Sequence, residues 1–97
     1  MTELDVVCRP DAATDGWTCA VTTTGDRGAT TRHEVRIAPA DLERLDPGAT
    51  EPHLLVDRSF RFLLAREPAS SILRSFDLIE IGRYFPEYEA TIARTVD

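Results

Sequence analysis

By type, Cys8, Cys19, His33 and His53 are the residues best suited to soft-metal or nucleophilic chemistry. A zinc site needs several ligands converging at bonding distance, usually announced by a short C-x-x-C spacing. Here the cysteines stand eleven residues apart and no CxxC occurs. There is no G-x-S-x-G elbow and no glycine-rich phosphate loop. The carboxylate pairs Asp41/Glu43 and Glu87/Glu89 are spaced two apart, so on a helix they point to different sides. No catalytic residue, metal ligand or cofactor is therefore assigned. His33 falls on the apolar face of a strand-like segment, either as a ligand or base or as a core-edge histidine with one nitrogen bonded; the second reading is preferred. His53 sits in the first turn of a helix, where an imidazolium opposes the dipole, and reads as surface. The cysteines read as small, buried, free thiols in a reducing cytoplasm. The acidic start, Met1 to Asp5, has no apolar stretch and predicts no signal peptide.

The 97 residues carry 11 arginines and no lysine against 17 acids, a formal charge of -6. Lysine, asparagine and glutamine are all missing while alanine and threonine abound, which reads as GC-rich codon usage. Residues 1–50 hold five arginines against nine acids and residues 51–97 hold six against eight, so neither half is a charged tail. Duplex binding needs a net positive footprint, so a nucleic-acid partner is not expected. No apolar run approaches the roughly 18–20 residues of a membrane helix. Arg58, Arg61, Arg66, Arg74 and Arg83, with Tyr84, Phe85 and Tyr88, offer the residue types that concentrate binding energy. Phe85 reads as core.

These residues need elements to hold them. Residues 4–8, 17–24 and 30–37 carry strand-like alternation, separated by turn-rich segments. Trp17, Cys19 and Val21 form one face of the second strand, and His33, Val35 and Ile37 form the apolar face of the third. Partners across a ladder share a face. Gly25 and Ala29 flanking a loop of Asp26, Arg27 and Gly28 meet that condition, with Gly28 left-handed. The register then sets Trp17 opposite Ile37, Cys19 opposite Val35 and Val21 opposite His33.

From Pro39 the period becomes helical. Residues 39–45 read as a short helix and 51–66 as a longer one. On the latter, Val56, Phe60, Leu63 and Leu64 form one stripe, while Leu55 and Phe62 form a second. Ser70 or Ser71 opens a single turn through Leu73. Asp77 with Glu80 matches a capping box and starts a helix to Phe85, where Pro86 interrupts. Tyr88, Ile92 and Val96 share the face of a final helix.

The segments Ser71–Leu78 and Ile81–Glu89 resemble the C-terminal part of a group of short uncharacterised bacterial proteins. Phe60–Pro68 and the stretch 35–45 resemble that group as well. The resemblance spans most of residues 30–90 and implies no activity and no residue role.

The reading is a single α+β domain over 1–97. A three-stranded antiparallel meander (3–38) precedes three to four helices (39–96) packed on one face. The expected function is a non-catalytic protein–protein interaction module that self-associates, because the second helical stripe and the aromatic tail exceed what so small a chain covers. Leu55, Phe62, Tyr84 and Tyr88 are its expected interface. The alternative is a small-ligand or regulatory domain, with a pocket between sheet and helices lined by Trp17, His33 and Arg61. The expected partner is a protein, as a homodimer, with no nucleic acid and no membrane involved.

Overall fold

The computed structural model describes residues 2–25 and 27–94; Asp26 and Val96 lie outside them. β1 (Glu3–Asp11), β2 (Gly16–Thr24) and β3 (Thr30–Ile37) form the antiparallel meander. The second hairpin adopts the expected register, with Trp17 opposite Ile37, Cys19 opposite Val35 and Val21 opposite His33. Its turn is closed by Gly25 N–H to Ala29 C=O at 2.8 Å and by Gly28 N–H to Gly25 C=O at 2.9 Å. Gly28 has φ +78°, which its lack of a Cβ makes easy. Gly16 is needed for closeness instead. A Cβ there would stand 2.2 Å from the Ile37 carbonyl oxygen.

The first hairpin corrects one expectation. Its register sets Cys8 directly opposite Cys19, and the two are joined as a disulfide with Cα atoms 3.9 Å apart. They are not free thiols. Parity of the second hairpin places Cys19 but leaves Cys8 undetermined, because the loop between β1 and β2 carries no register signal as clear as Gly28.

The sheet also has a fourth strand that the meander reading lacks. β4 (Ser75–Asp77) runs parallel to β3, pairing Val35 with Phe76. Glu34 N–H donates to Arg74 C=O at 2.7 Å. On the outer face Arg36 holds both flanking residues of β4, donating to Asp77 Oδ1 at 2.7 Å and to Ser75 Oγ at 2.8 Å. Three residues are too few for period-two alternation to show in the sequence.

α1 (Pro39–Leu45), α2 (His53–Leu64), α3 (Ile81–Tyr84) and α4 (Tyr88–Arg94) complete the chain, with 3-10 turns at Ala69–Ser71 and Leu78–Glu80. The capping box is present: Asp77 N–H donates to Glu80 Oε2 at 2.8 Å. The core joins one sheet face (Cys19, Val21, Val35, Ile37, Phe76) to Leu45, Val56, Phe60, Leu78, Ile81 and Ile92. No described helix is long and apolar enough to cross a membrane.

The second stripe of α2 is covered by the chain itself. Leu55 and Phe62 are buried, and Phe62 meets Phe85 and Tyr88 edge-on at 5.7 and 5.3 Å. Tyr88 is buried too. Three of the four expected interface residues are thus core, and only Tyr84 is exposed, at 67%. A chain of this size covers both stripes because the short α3–α4 segment folds back over α2.

Candidate functional site

β3 extends past β4. Only Glu34 to Arg36 pair with β4, so among the described residues the Thr30–Arg32 end of β3 has a strand, β2, on one side alone. Residues 69–74 lie over that end instead. The space between them is a cavity of about 350 Å³, lined among others by Thr31, Arg32, His33, Ser70, Ile72 and Arg74. That volume falls within the range of small-ligand pockets.

His33 anchors the cavity's inner wall. Side chains alternate along a strand, so Thr31 and His33 share the core face. The imidazole packs on Phe60 of α2, with ring centroids 5.3 Å apart. Its Nδ1 lies 2.7 Å from Leu73 C=O, which can only accept, so Nδ1 carries the proton. In the neutral ring Nε2 then accepts from the Thr31 hydroxyl at 2.9 Å. Thr31 in turn meets the buried Thr23 hydroxyl. A polar chain thus runs from the sheet interior to the backbone of the 69–74 segment. The expected core-edge histidine is what the structure contains, with both ring nitrogens bonded.

The cavity's charge is unusual for this acidic chain. Among the described residues, no Asp or Glu lines it. Arg36, Arg44, Arg58, Arg61 and Arg66 each have a carboxylate within salt-bridge distance. Arg9, Arg27, Arg32, Arg74 and Arg83 have none among the described residues, and of these Arg32 and Arg74 line the cavity. Both are exposed, so their guanidinium groups are hydrated and available.

Of the expected ligand residues, only His33 lies here. Trp17 pairs with Ile37, four ladder rows from the His33–Val21 pair, or roughly 13 Å at strand rise. Arg61 projects from the exposed side of α2 and donates to Asp57 Oδ1 at 2.7 Å. Arg32, Ser70 and Arg74 take their places. The adjacency of Arg32 to His33 was visible in the sequence. Arg74 was not placeable, because its position depends on β4. Tyr84 rims a separate apolar cavity of about 160 Å³ bounded by Leu63, Ile72, Phe76, Ile81 and Phe85.

The titrating groups with clear shifts lie away from this site. Burial pushes the Tyr88 phenol up to about 12, partly opposed by its hydrogen bond to Ser59. The exposed Glu87 carboxyl is held below its usual range, chiefly by a hydrogen bond from its own backbone and also by Arg66. Among the described residues, no group of three or more His, Cys, Asp or Glu converges as a metal site.

Comparison with protein-family models, with curated proteins and with solved structures gives no match. The site is read from its own geometry.

Proposed function

We propose that the chain is a non-catalytic binding domain whose ligand is a small anion, a phosphate or carboxylate group, taken between Arg32 and Arg74 over His33. The observation that carries this reading is a cavity lined by Arg32 and Arg74 and, among the described residues, by no Asp or Glu, in a chain of charge -6. Planar guanidinium donors match such oxyanions bidentately. The hydroxyl of Ser70 adds a neutral donor. His33 serves as a positioning residue here. Its Nδ1 bond to Leu73 C=O ties the 69–74 segment to β3 and fixes the distance between the two arginines.

Inorganic phosphate tests the reading. Titrated at constant ionic strength and followed by amide NMR, it is expected to shift residues 30–33 and 69–74 saturably, and Arg74→Ala is expected to weaken binding at least tenfold. Shifts spread evenly over all arginines, or unchanged affinity in Arg74→Ala, would refute it.

Compartment follows from the cysteines in this reading. A cytoplasmic location requires the Cys8–Cys19 pair to be kept reduced, whereas a persistent disulfide fits an oxidising compartment. Thiol counting on acid-quenched cells decides between them. Two free thiols support the cytoplasm, and none rejects it.

A further inference from the structure

β1 is an edge strand, with β2 on one side and no strand on the other among the described residues. Which of its backbone groups are free follows from the alternation of an antiparallel ladder. The turn makes Gly25/Ala29 a bonded pair, and bonded pairs recur at every second residue. Odd-numbered residues of β2 therefore bond to β3, and even-numbered ones bond to β1. On β1 this commits Glu3, Asp5, Val7, Arg9 and Asp11 to β2. Leu4, Val6 and Cys8 turn their N–H and C=O groups outward, and Pro10 turns out a carbonyl with no N–H. No backbone or side-chain partner takes these N–H groups among the described residues.

We infer that this edge pairs with the same edge of a second copy, antiparallel about a twofold axis at Val6. Three observations select that partner and register. First, the free groups at Leu4, Val6 and Cys8 are self-complementary only when outward-facing residues meet outward-facing residues. A centre at Val6 sets Val6 against the partner's Val6 and Leu4 against the partner's Cys8. Secondly, this register sets Glu3 opposite the partner's Arg9, and by symmetry Arg9 opposite the partner's Glu3. Opposite charges so placed stabilise a ladder, and like charges destabilise it. A centre at Asp5 would oppose two aspartates. A centre at Val7 would set Glu3 against the partner's Asp11, offset by Asp5 against the partner's Arg9, and is rejected because it loses ladder bonds at Pro10, opposite the partner's Leu4. Thirdly, Leu4, Val6 and Cys8 are half-buried apolar side chains on the core face. Pairing extends that face across the axis, with no charge pointing inward to forbid it.

Pro10 and the charges of β1 are the devices by which edges usually resist pairing. Here they leave the centred register open and penalise its neighbours. The anion pocket lies at the opposite edge of the sheet, beside β3 and β4, so this association neither needs it nor blocks it.

Light scattering on the full chain across a dilution series tests the inference. A reversible dimer at high micromolar concentration is expected. Val6→Pro removes an outward N–H that the chain itself does not use, and should leave a folded monomer by circular dichroism. Glu3→Arg should raise the dimer Kd about fivefold to tenfold, and Glu3→Arg/Arg9→Glu should restore it. A strict monomer, a dimer unaffected by a folded Val6→Pro, or a dimer tightened by Glu3→Arg through Asp11 would each overturn it. Should Val6→Pro not fold, the charge exchange decides alone.

Discussion

Two buried polar chains in this protein use the same kinds of atoms and end differently. Between α2 and α4, Tyr88 Oη and Ser59 Oγ are 2.6 Å apart, and Ser59 donates to Leu55 C=O at 2.7 Å. Ser59 has a single hydroxyl proton, already given to Leu55, so Tyr88 is the donor between them. That chain is closed, with each donor satisfied inside apolar packing. The Thr23–Thr31–His33–Leu73 chain starts in the same core but runs along the wall of a cavity lined by Arg32 and Arg74, which have no carboxylate partner among the described residues. Burial of polar atoms is common to both. What distinguishes the second is hydrogen-bonding capacity left over beside it. The first network is read as structural and the second as the support of a binding site.

The largest effect should come from titrating the closed chain. The folded state holds the Tyr88 phenol protonated up to about 12, above its usual 10.0. Below about pH 10 the phenol is neutral in both states and contributes no pH dependence. Between the two values the unfolded chain has released its proton while the folded chain keeps it, so stability falls as pH rises. The total loss is about 2–3 kcal/mol. Urea unfolding at about pH 9 and about pH 11.5 captures roughly two-thirds of it, and Tyr88→Phe should remove most of the difference. The chain has no lysine to titrate across the same window.

Next in size is Ser59→Ala. It orphans a buried phenol hydroxyl and should cost about 1–3 kcal/mol at neutral pH. Tyr88→Phe should cost less, about 1 kcal/mol, because Ser59 still donates to Leu55. Equal costs in chemical unfolding would mean that water reaches Tyr88, and the contrast between a closed and an open chain would fail.

The same contrast explains what the sequence could reveal. Local periods sufficed for the meander, the boundaries of α1 and the capping box at Asp77, since each is settled by a few neighbouring residues. Gly28 even fixed the register that carries His33. Long-range placement was not legible. β4 is only three residues long and is held by Arg36 from forty residues away in order of sequence separation. Without it, Arg74 and the cavity roof have no location. The disulfide depended on the β1–β2 register, which the turn-rich segment between those strands leaves open, and the fate of the Leu55–Phe62 stripe depended on a tail folding back. Trp17 shares a sheet face with His33 as expected, but a shared face does not imply proximity when the rows differ.

His33→Leu should have a smaller effect than Ser59→Ala. It keeps the packing against Phe60 and removes both ring hydrogen bonds. The Thr31 hydroxyl left behind borders the cavity and Leu73 is an exposed residue, so water can take both groups. About 1 kcal/mol is expected from chemical unfolding, in contrast to the fully enclosed Tyr88 hydroxyl. A cost above that of Ser59→Ala would place the cavity wall among the closed networks.

Arg74→Ala should do least to the fold and most to binding. Arg74 is exposed and has no carboxylate partner among the described residues, so its loss should change stability by no more than about 0.5 kcal/mol. Phosphate at ten times its Kd should stabilise the native protein by about 1.4 kcal/mol, and Arg74→Ala should abolish most of that increment. Arg61→Ala is the matched control. It too removes an exposed arginine, but one already engaged with Asp57 on α2 and remote from the cavity. It should cost about 0.3–0.5 kcal/mol as an i,i+4 pair and leave the phosphate increment intact. If both variants lose the increment alike, phosphate is responding to total charge rather than to this cavity. If only Arg74→Ala loses it, the spare donors beside the open chain belong to a site.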